Sequence, residues 1–151
     1  MSARRQHPST ARPSHFELRP SIDVAAGLVI RDGQLLITRR PAGSHLGGLW
    51  EFPGGKRQPH ETFGQCLVRE LREELGIEVR VGRLIERVTH AYPRQTVHLE
   101  FYRCRWMRHE PQALGCPEFK WITEAELEDY EFPEADARLV RRLRNCPALW
   151  R

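Results

Sequence analysis

The sequence predicts a single α/β domain, an α/β sandwich built on a mixed β-sheet. Three observations carry that prediction. Apolar runs of strand length recur between residues 22 and 122. Two stretches with helical spacing and cap signals, residues 62–76 and 133–144, fall between and after those runs, so helices are available for both faces of a sheet. No internal repeat or second break in composition divides the 151 residues, which suffice for one hydrophobic core.

Residues 1–20 carry Pro8, Pro13 and Pro20, five charges and few apolar groups, the composition of a flexible tail. The folded domain is therefore expected over residues 21–151. Residues 24–30 (VAAGLVI) and 34–40 (QLLITRR) are apolar runs joined through Asp32-Gly33, a hairpin signal. The short run LWEF, residues 49–52, ends at Pro53-Gly54-Gly55, which reads as a turn or loop. Thr62 followed three residues later by Gln65 is a capping box that starts the first helix. Gly76 stands where a helix terminates in a left-handed residue, with Ile77 as the apolar contact behind it. Residues 78–89, 96–106 and 118–122 read as strands. Thr123-x-x-Glu126 opens a short second helix, and a last helix over residues 133–144 spaces Leu139 and Leu143 by one turn.

Composition narrows the function. About 40% hydrophobic and 29% charged residues is ordinary for a globular protein. The pI near 9.2 points less to nucleic acid than it first suggests. Arg4, Arg5, Arg12 and Arg19, less Glu17, contribute +3 of the formal +4, all within the first twenty residues. The body is almost neutral and has no basic run interleaved with aromatics, so strong nucleic-acid binding is not expected. Cys66, Cys104, Cys116 and Cys146 are scattered without metal-finger spacing and read as reduced thiols of a cytoplasmic protein. No signal-peptide core and no membrane-length apolar stretch is present in the sequence.

The first helix holds the chemistry. Glu70, Glu73 and Glu74 lie within two turns, and like charges three and four apart repel by roughly 0.2–0.5 kcal/mol per pair. At 100° per residue Glu74 lies about 40° from Glu70, while Phe63, Leu67, Leu71 and Leu75 span roughly 20° to 140° on the same wheel. The carboxylates thus abut the buried stripe instead of opposing it. Arg69 and Arg72 offer local pairing, as in a solvated charge-laced helix. The other compensator is a hard divalent cation, because an all-oxygen donor set suits Mg²⁺ or Mn²⁺ better than zinc. Gly54-Gly55 just upstream can bring bare backbone against a ligand, with Lys56 beside it.

Residues 54–77, GGKRQPHETFGQCLVRELREELGI, resemble the Nudix box G-x5-E-x7-R-E-U-x-E-E-x-G-U, where U is bulky and aliphatic. Gly55, Glu61, Arg69, Glu70, Leu71, Glu73, Glu74, Gly76 and Ile77 fill every specified position. ITRRPAGSH and LWEFPGGK, residues 37–45 and 49–56, extend the likeness to the MutT-like members of that family. The resemblance implies an α/β/α sandwich and Mg²⁺-dependent hydrolysis of a nucleoside triphosphate, damaged or non-canonical, to a monophosphate and pyrophosphate. It also leaves open a (5-substituted) CTP or dCTP pyrophosphohydrolase, or a non-catalytic domain that reads damaged bases.

Residue by residue, the resemblance implies that the Gly54 carbonyl, Glu70, Glu73 and Glu74 hold metal. Glu70 also orients or deprotonates water, Arg69 fixes the glutamates, and Glu61 pairs at the helix start. Arg40, or its neighbour Arg39, corresponds to a phosphate-contacting arginine. Glu118 is the nearest candidate for a further carboxylate from a late loop, and otherwise flanks a strand. Ile22, Val24, Phe52 and Asp136 fall where the family binds the base, with His45, Lys56, His90 and Tyr92 as further cleft candidates. Asp136 replaces the asparagine with which MutT reads oxidised guanine, as in similar bacterial CTP pyrophosphohydrolases.

Overall fold

The computed structural model describes residues 20–151, so the tail expected over residues 1–20 lies outside the described residues except for Pro20. Pro20 is already tied to the domain, its carbonyl accepting a hydrogen bond from the Thr96 amide at 2.8 Å.

Seven strands form one mixed sheet among the described residues. β1 (Ser21–Arg31) turns through Asp32 and Gly33 into β2 (Gln34–Arg39). Both turn residues have positive φ, 52° and 74°, the left-handed pair that a two-residue hairpin requires. β3 (Trp50–Glu51) extends β2, and β4 (Gly54–Lys56) pairs with β1. After α1 (Phe63–Leu75) come β5 (Glu78–Ala91) and β6 (Thr96–Arg108), a long antiparallel pair. β6 runs parallel to β1 and makes β1 central. β7 (Phe119–Ile122) adds to the free side of β2.

The glycine pair at 54 and 55, expected in a turn, lies in strand β4. Neither residue needs positive φ; both need space. A Cβ on Gly54 would stand 1.9 Å from the Ala25 carbonyl oxygen, and one on Gly55 would stand 2.3 Å from the Glu70 carboxyl carbon. Bare backbone is therefore what lets β4 pair with β1 while α1 presses its carboxylate onto the strand.

The sheet buries a core on each face. On one, Leu67, Leu71 and Leu75 of α1 meet Ala25, Val29 and Leu36, with Ile77 closing the end. The capping box holds α1 at its start: Gln65 N–H donates to the Thr62 hydroxyl at 3.1 Å and Thr62 N–H to the Gln65 side chain at 2.9 Å. Gly76, at φ 68°, ends the helix. On the other face Leu28, Leu35, Ile37 and Phe101 meet Leu139, Val140 and Leu143 of α2 (Ala137–Asn145).

Two helical expectations shift. The turn after Thr123 is a 3-10 helix, Glu124–Asp129, still held by Glu126 accepting from the Thr123 amide and hydroxyl. The last helix begins with a 3-10 turn, Glu134–Asp136, because Asp136 N–H bonds back three residues to the Pro133 carbonyl before α2 proper starts. A final turn, Pro147–Trp150, was not foreseen; it seats Trp150, whose indole N–H reaches the Leu143 carbonyl at 2.9 Å. Among the described residues no helix is long and apolar enough to cross a membrane.

Candidate active site

Arg69 organises the start of the acidic edge. Its guanidinium grips Glu61 with two bonds, at 2.6 and 3.1 Å, and reaches Glu70 at 2.8 Å and Glu73 at 3.2 Å. A fifth contact, at 3.1 Å, goes to the Lys56 carbonyl. One planar fork therefore fastens α1 to the glycine strand and the loop after it. Those bonds hold the Glu61 carboxyl at a pKa of about 2, with the Gln58 amide helping.

Glu74 has no such partner. Burial, then the negative charges of Glu51 and Glu70, push its pKa up to about 8, against the opposing pull of the Gly54 amide. The Thr38 hydroxyl faces Glu74 as well; it is wholly buried and makes no hydrogen bond of ordinary geometry. Glu51 reaches this place because β3 and β2 align it with Thr38, so both side chains leave the sheet on one face. Arg40 is bonded to Glu51 at 2.8 Å and, through Nε, to the His45 carbonyl at 2.7 Å.

These residues suit a hard divalent cation. The donors are all oxygens, the excess charge is negative, and an orphaned hydroxyl lies beside the least compensated carboxyl. Among the described residues no group of three or more His, Cys, Asp or Glu side chains is gathered closely enough to hold a metal ion.

Beside the acidic edge, on the far side of the glycine strand, is a cleft of about 380 Å³ that Glu70, Glu73 and Glu74 do not themselves line. Arg40, Glu51, Gly54, Gly55 and Lys56 line its polar end, and Ile22, Val24, Phe52, Leu99 and Phe101 its apolar walls. Phe52 is braced by Phe132, stacked at 5.2 Å, and by Phe101 edge-on at 5.6 Å. Asp136 closes the far end, only 5% exposed. Burial, then Glu51, raises its pKa to about 8 against the pull of Arg40. His45 and Tyr92 meet edge-on at 4.8 Å, and the Tyr92 hydroxyl accepts from the Ala135 amide at 3.2 Å.

The structure thus gathers Ile22, Val24, Arg40, His45, Phe52, Gly54, Lys56, Tyr92 and Asp136 around one cavity. It places other candidates elsewhere. Arg39 turns away from Arg40 to bind Glu118 at 2.8 Å and the Gly48 carbonyl at 3.1 Å, and neither Arg39 nor Glu118 lines the cleft. His90 sits behind Tyr92 and approaches Glu134 at 3.4 Å. The sequence reading missed Glu51, which acts on both Glu74 and Asp136. Its signal was strand alternation in LWEF: Trp50 and Phe52 join the core on one side, so the acidic residue between them points to the other.

Comparison with known proteins identifies the family. The Nudix domain family matches residues 25–142. The chain is 40% identical over 124 residues to the CTP pyrophosphohydrolase of Escherichia coli strain K12, covering 79% of this chain and 88% of that protein. It is 38% identical over 125 residues to the 8-oxo-dGTP diphosphatase of Haemophilus influenzae, covering 82% and 92%. The solution structure of the E. coli ORF135 protein superposes with a TM-score of 0.69 at 36% identity, covering 82% of this chain and 88% of that one. With every box residue in place on the helix, loop and strand that the motif requires, the chain belongs to the Nudix hydrolase family.

Proposed function

We propose that the enzyme hydrolyses nucleoside triphosphates to a monophosphate and pyrophosphate with Mg²⁺, acting on damaged or non-canonical bases or on cytosine nucleotides. One observation carries this reading: an aromatic-walled cleft closed by a buried acid has at its polar end Glu51 and the glycine strand against which the Glu70 carboxyl of α1 packs.

Glu70, Glu73, Glu74 and the Gly54 carbonyl would hold Mg²⁺ (Mn²⁺ being of similar chemistry), and Arg69 keeps the first two oriented. When bound, the ion supplies charge neutralisation at the phosphates and a more acidic water. Arg40 and Lys56 face the same end and take the phosphate oxygens. Glu70, pinned by Arg69 and packed on Gly55, orients the attacking water and accepts its proton. Attack at the β-phosphorus forms one P–O bond and breaks that to the oxygen shared with the α-phosphorus. The monophosphate leaves with that oxygen, and pyrophosphate is the second product. Phe52, Ile22 and Val24 enclose the base, and Asp136 reads its edge.

The two relatives act, by name, on CTP and on 8-oxo-dGTP. A neutral Asp136 offers one donor and one acceptor, and in either protonation state an acceptor oxygen can take the amino group of cytosine. The neutral acid can equally pair with O6 and N7–H of 8-oxoguanine. The cytosine reading gains from the acid itself, since an ionised Asp136 still accepts from the amino group but repels O6. Release of pyrophosphate from a panel of canonical and oxidised dNTPs, with and without Mg²⁺, tests the reading. Mg²⁺-dependent kcat/KM highest for a cytosine or 8-oxoguanine nucleotide is expected. Absence of turnover on every triphosphate, with activity on sugar or dinucleoside diphosphates instead, would overturn it.

A further inference from the structure

Far along the sheet from the cleft, a second cavity of about 380 Å³ is lined by Ile30, Arg80, Gly82, Arg103, Cys104 and Arg105. Three of its six lining residues are arginines and none is acidic. The strands put the three on one face: Arg80 is the direct cross-strand partner of Arg105, and Arg103 lies two residues along β6. A bulge between Val81 and Leu84 adds Arg83 to the group. Gly82 makes that bulge possible, since a Cβ there would come within 3.1 Å of the Arg103 carbonyl oxygen.

Nine of the eighteen described arginines are neutralised. Arg31, Arg39, Arg40, Arg57, Arg69, Arg87, Arg108, Arg138 and Arg142 each pair with a carboxylate. The other nine include Arg80, Arg83, Arg103 and Arg105, and of those nine only Arg80, Arg103 and Arg105 line this cavity. Like charges directly opposite in a sheet repel, so Arg80 beside Arg105 is unfavourable without an anion between them. Arg103 is fixed in place by the main-chain oxygens of Leu149 and Arg151, which accept from its two terminal nitrogens. Burial and Arg83 both work against that charge.

We propose that this cavity is a second anion site, taking an oligophosphate of two or three phosphate groups. Planar guanidinium forks from two strands match phosphate oxygens in pairs, and one monoanion would leave most of the charge unmatched. Free pyrophosphate and the tail of a nucleoside triphosphate share that chemistry.

The test uses the whole chain in EDTA at low salt, titrated with inorganic pyrophosphate and separately with dCTP while backbone amides are followed by NMR. Shifts at Ile30, Arg80, Gly82 and Arg105, distinct from any at Gly54 and Gly55, are expected. In Arg80→Gln/Arg105→Gln, dissociation constants read from those amides should rise about tenfold or more, as for loss of a charge-assisted bond. The variant's kcat/KM in the cleft should be unchanged. Equal affinity for both probes identifies free oligophosphate as the ligand, and tighter binding of dCTP at these amides identifies a nucleotide. No shift at these amides with either probe, or an unaltered dissociation constant in the variant, would overturn the site.

Discussion

Glu74 on the α1 face and Asp136 on the opposite face meet the same difficulty in different company. Both are carboxyls pushed up to about 8, chiefly by burial. Glu74 stands among Glu51, Glu70, an amide and an orphaned hydroxyl, where a divalent cation can replace the missing positive charge. Asp136 lies at the end of an apolar cleft, where a proton is the available remedy. Burial alone therefore does not define a role for a carboxyl; the neighbours decide whether it waits for a metal or keeps a hydrogen.

The sharpest break between the two comes from amide substitutions. Glu74→Gln should reduce Mg²⁺-dependent turnover by about a hundredfold or more, in the range for losing one preorganised electrostatic contact. It should leave the metal-free protein as stable as the wild type or more so, because folding no longer has to protonate a buried carboxyl. Steady-state kinetics together with metal-free melting would check both halves. Near-normal turnover would remove Glu74 from the metal site.

Asp136→Asn should act on choice instead of rate. Near pH 6.5 the wild-type acid is neutral, so an amide in its place changes the ratio of kcat/KM for 8-oxo-dGTP over dCTP little. Near pH 9 the wild-type carboxylate repels O6, and the variant should raise that ratio by about ten- to a hundredfold. A ratio that does not move with pH in the wild type would mean that Asp136 does not read the base.

Glu51 lies between the two carboxyls, and comparing it with Glu118 tests which acidic residue serves the cleft. Glu51→Gln should lower turnover by about tenfold or more, since Arg40 loses its charged partner. Glu118→Gln should change turnover by no more than about twofold, its charge being spent on an exposed pair with Arg39. The reverse order would restore Glu118 as the additional metal-site carboxylate.

The smallest effect belongs to Glu61, the carboxyl that already has its arginine. Its depressed pKa gives stability that is complete above the ordinary carboxylate range and lost as pH falls toward about 2. Urea unfolding of Glu61→Gln should show a constant deficit at neutral pH that closes in acid.

How much of this was legible in the sequence follows from how local each feature is. The crowding of Glu70, Glu73 and Glu74 is a matter of helical period, and the capping box and Gly76 are local signals, so the acidic helix could be read directly. The hairpin through Asp32-Gly33 is equally local. Strand alternation could show which way Glu51 points but not what it meets, because its neighbours come from β2, α1 and the turn before α2. Gly54-Gly55 looked like a turn because sequence shows glycine's freedom, whereas the fold uses its lack of a side chain against Ala25 and Glu70. The protonation of Asp136 is a consequence of burial, which only packing sets.

The division between the two carboxyls is tested most directly by folding stability against pH, from about 5 to 9, with and without saturating Mg²⁺. Without metal the folded protein holds protons at Glu74 and Asp136 that the unfolded chain has released above pH of about 4. Stability should therefore fall as pH rises toward about 8 and level off beyond. Mg²⁺ should remove the share due to Glu74 and leave that of Asp136, so the slope becomes shallower in the wild type and in Asp136→Asn but is unchanged in Glu74→Gln. A slope that Mg²⁺ does not alter in the wild type, or alters equally in Glu74→Gln, would contradict the assignment of the cation to Glu74.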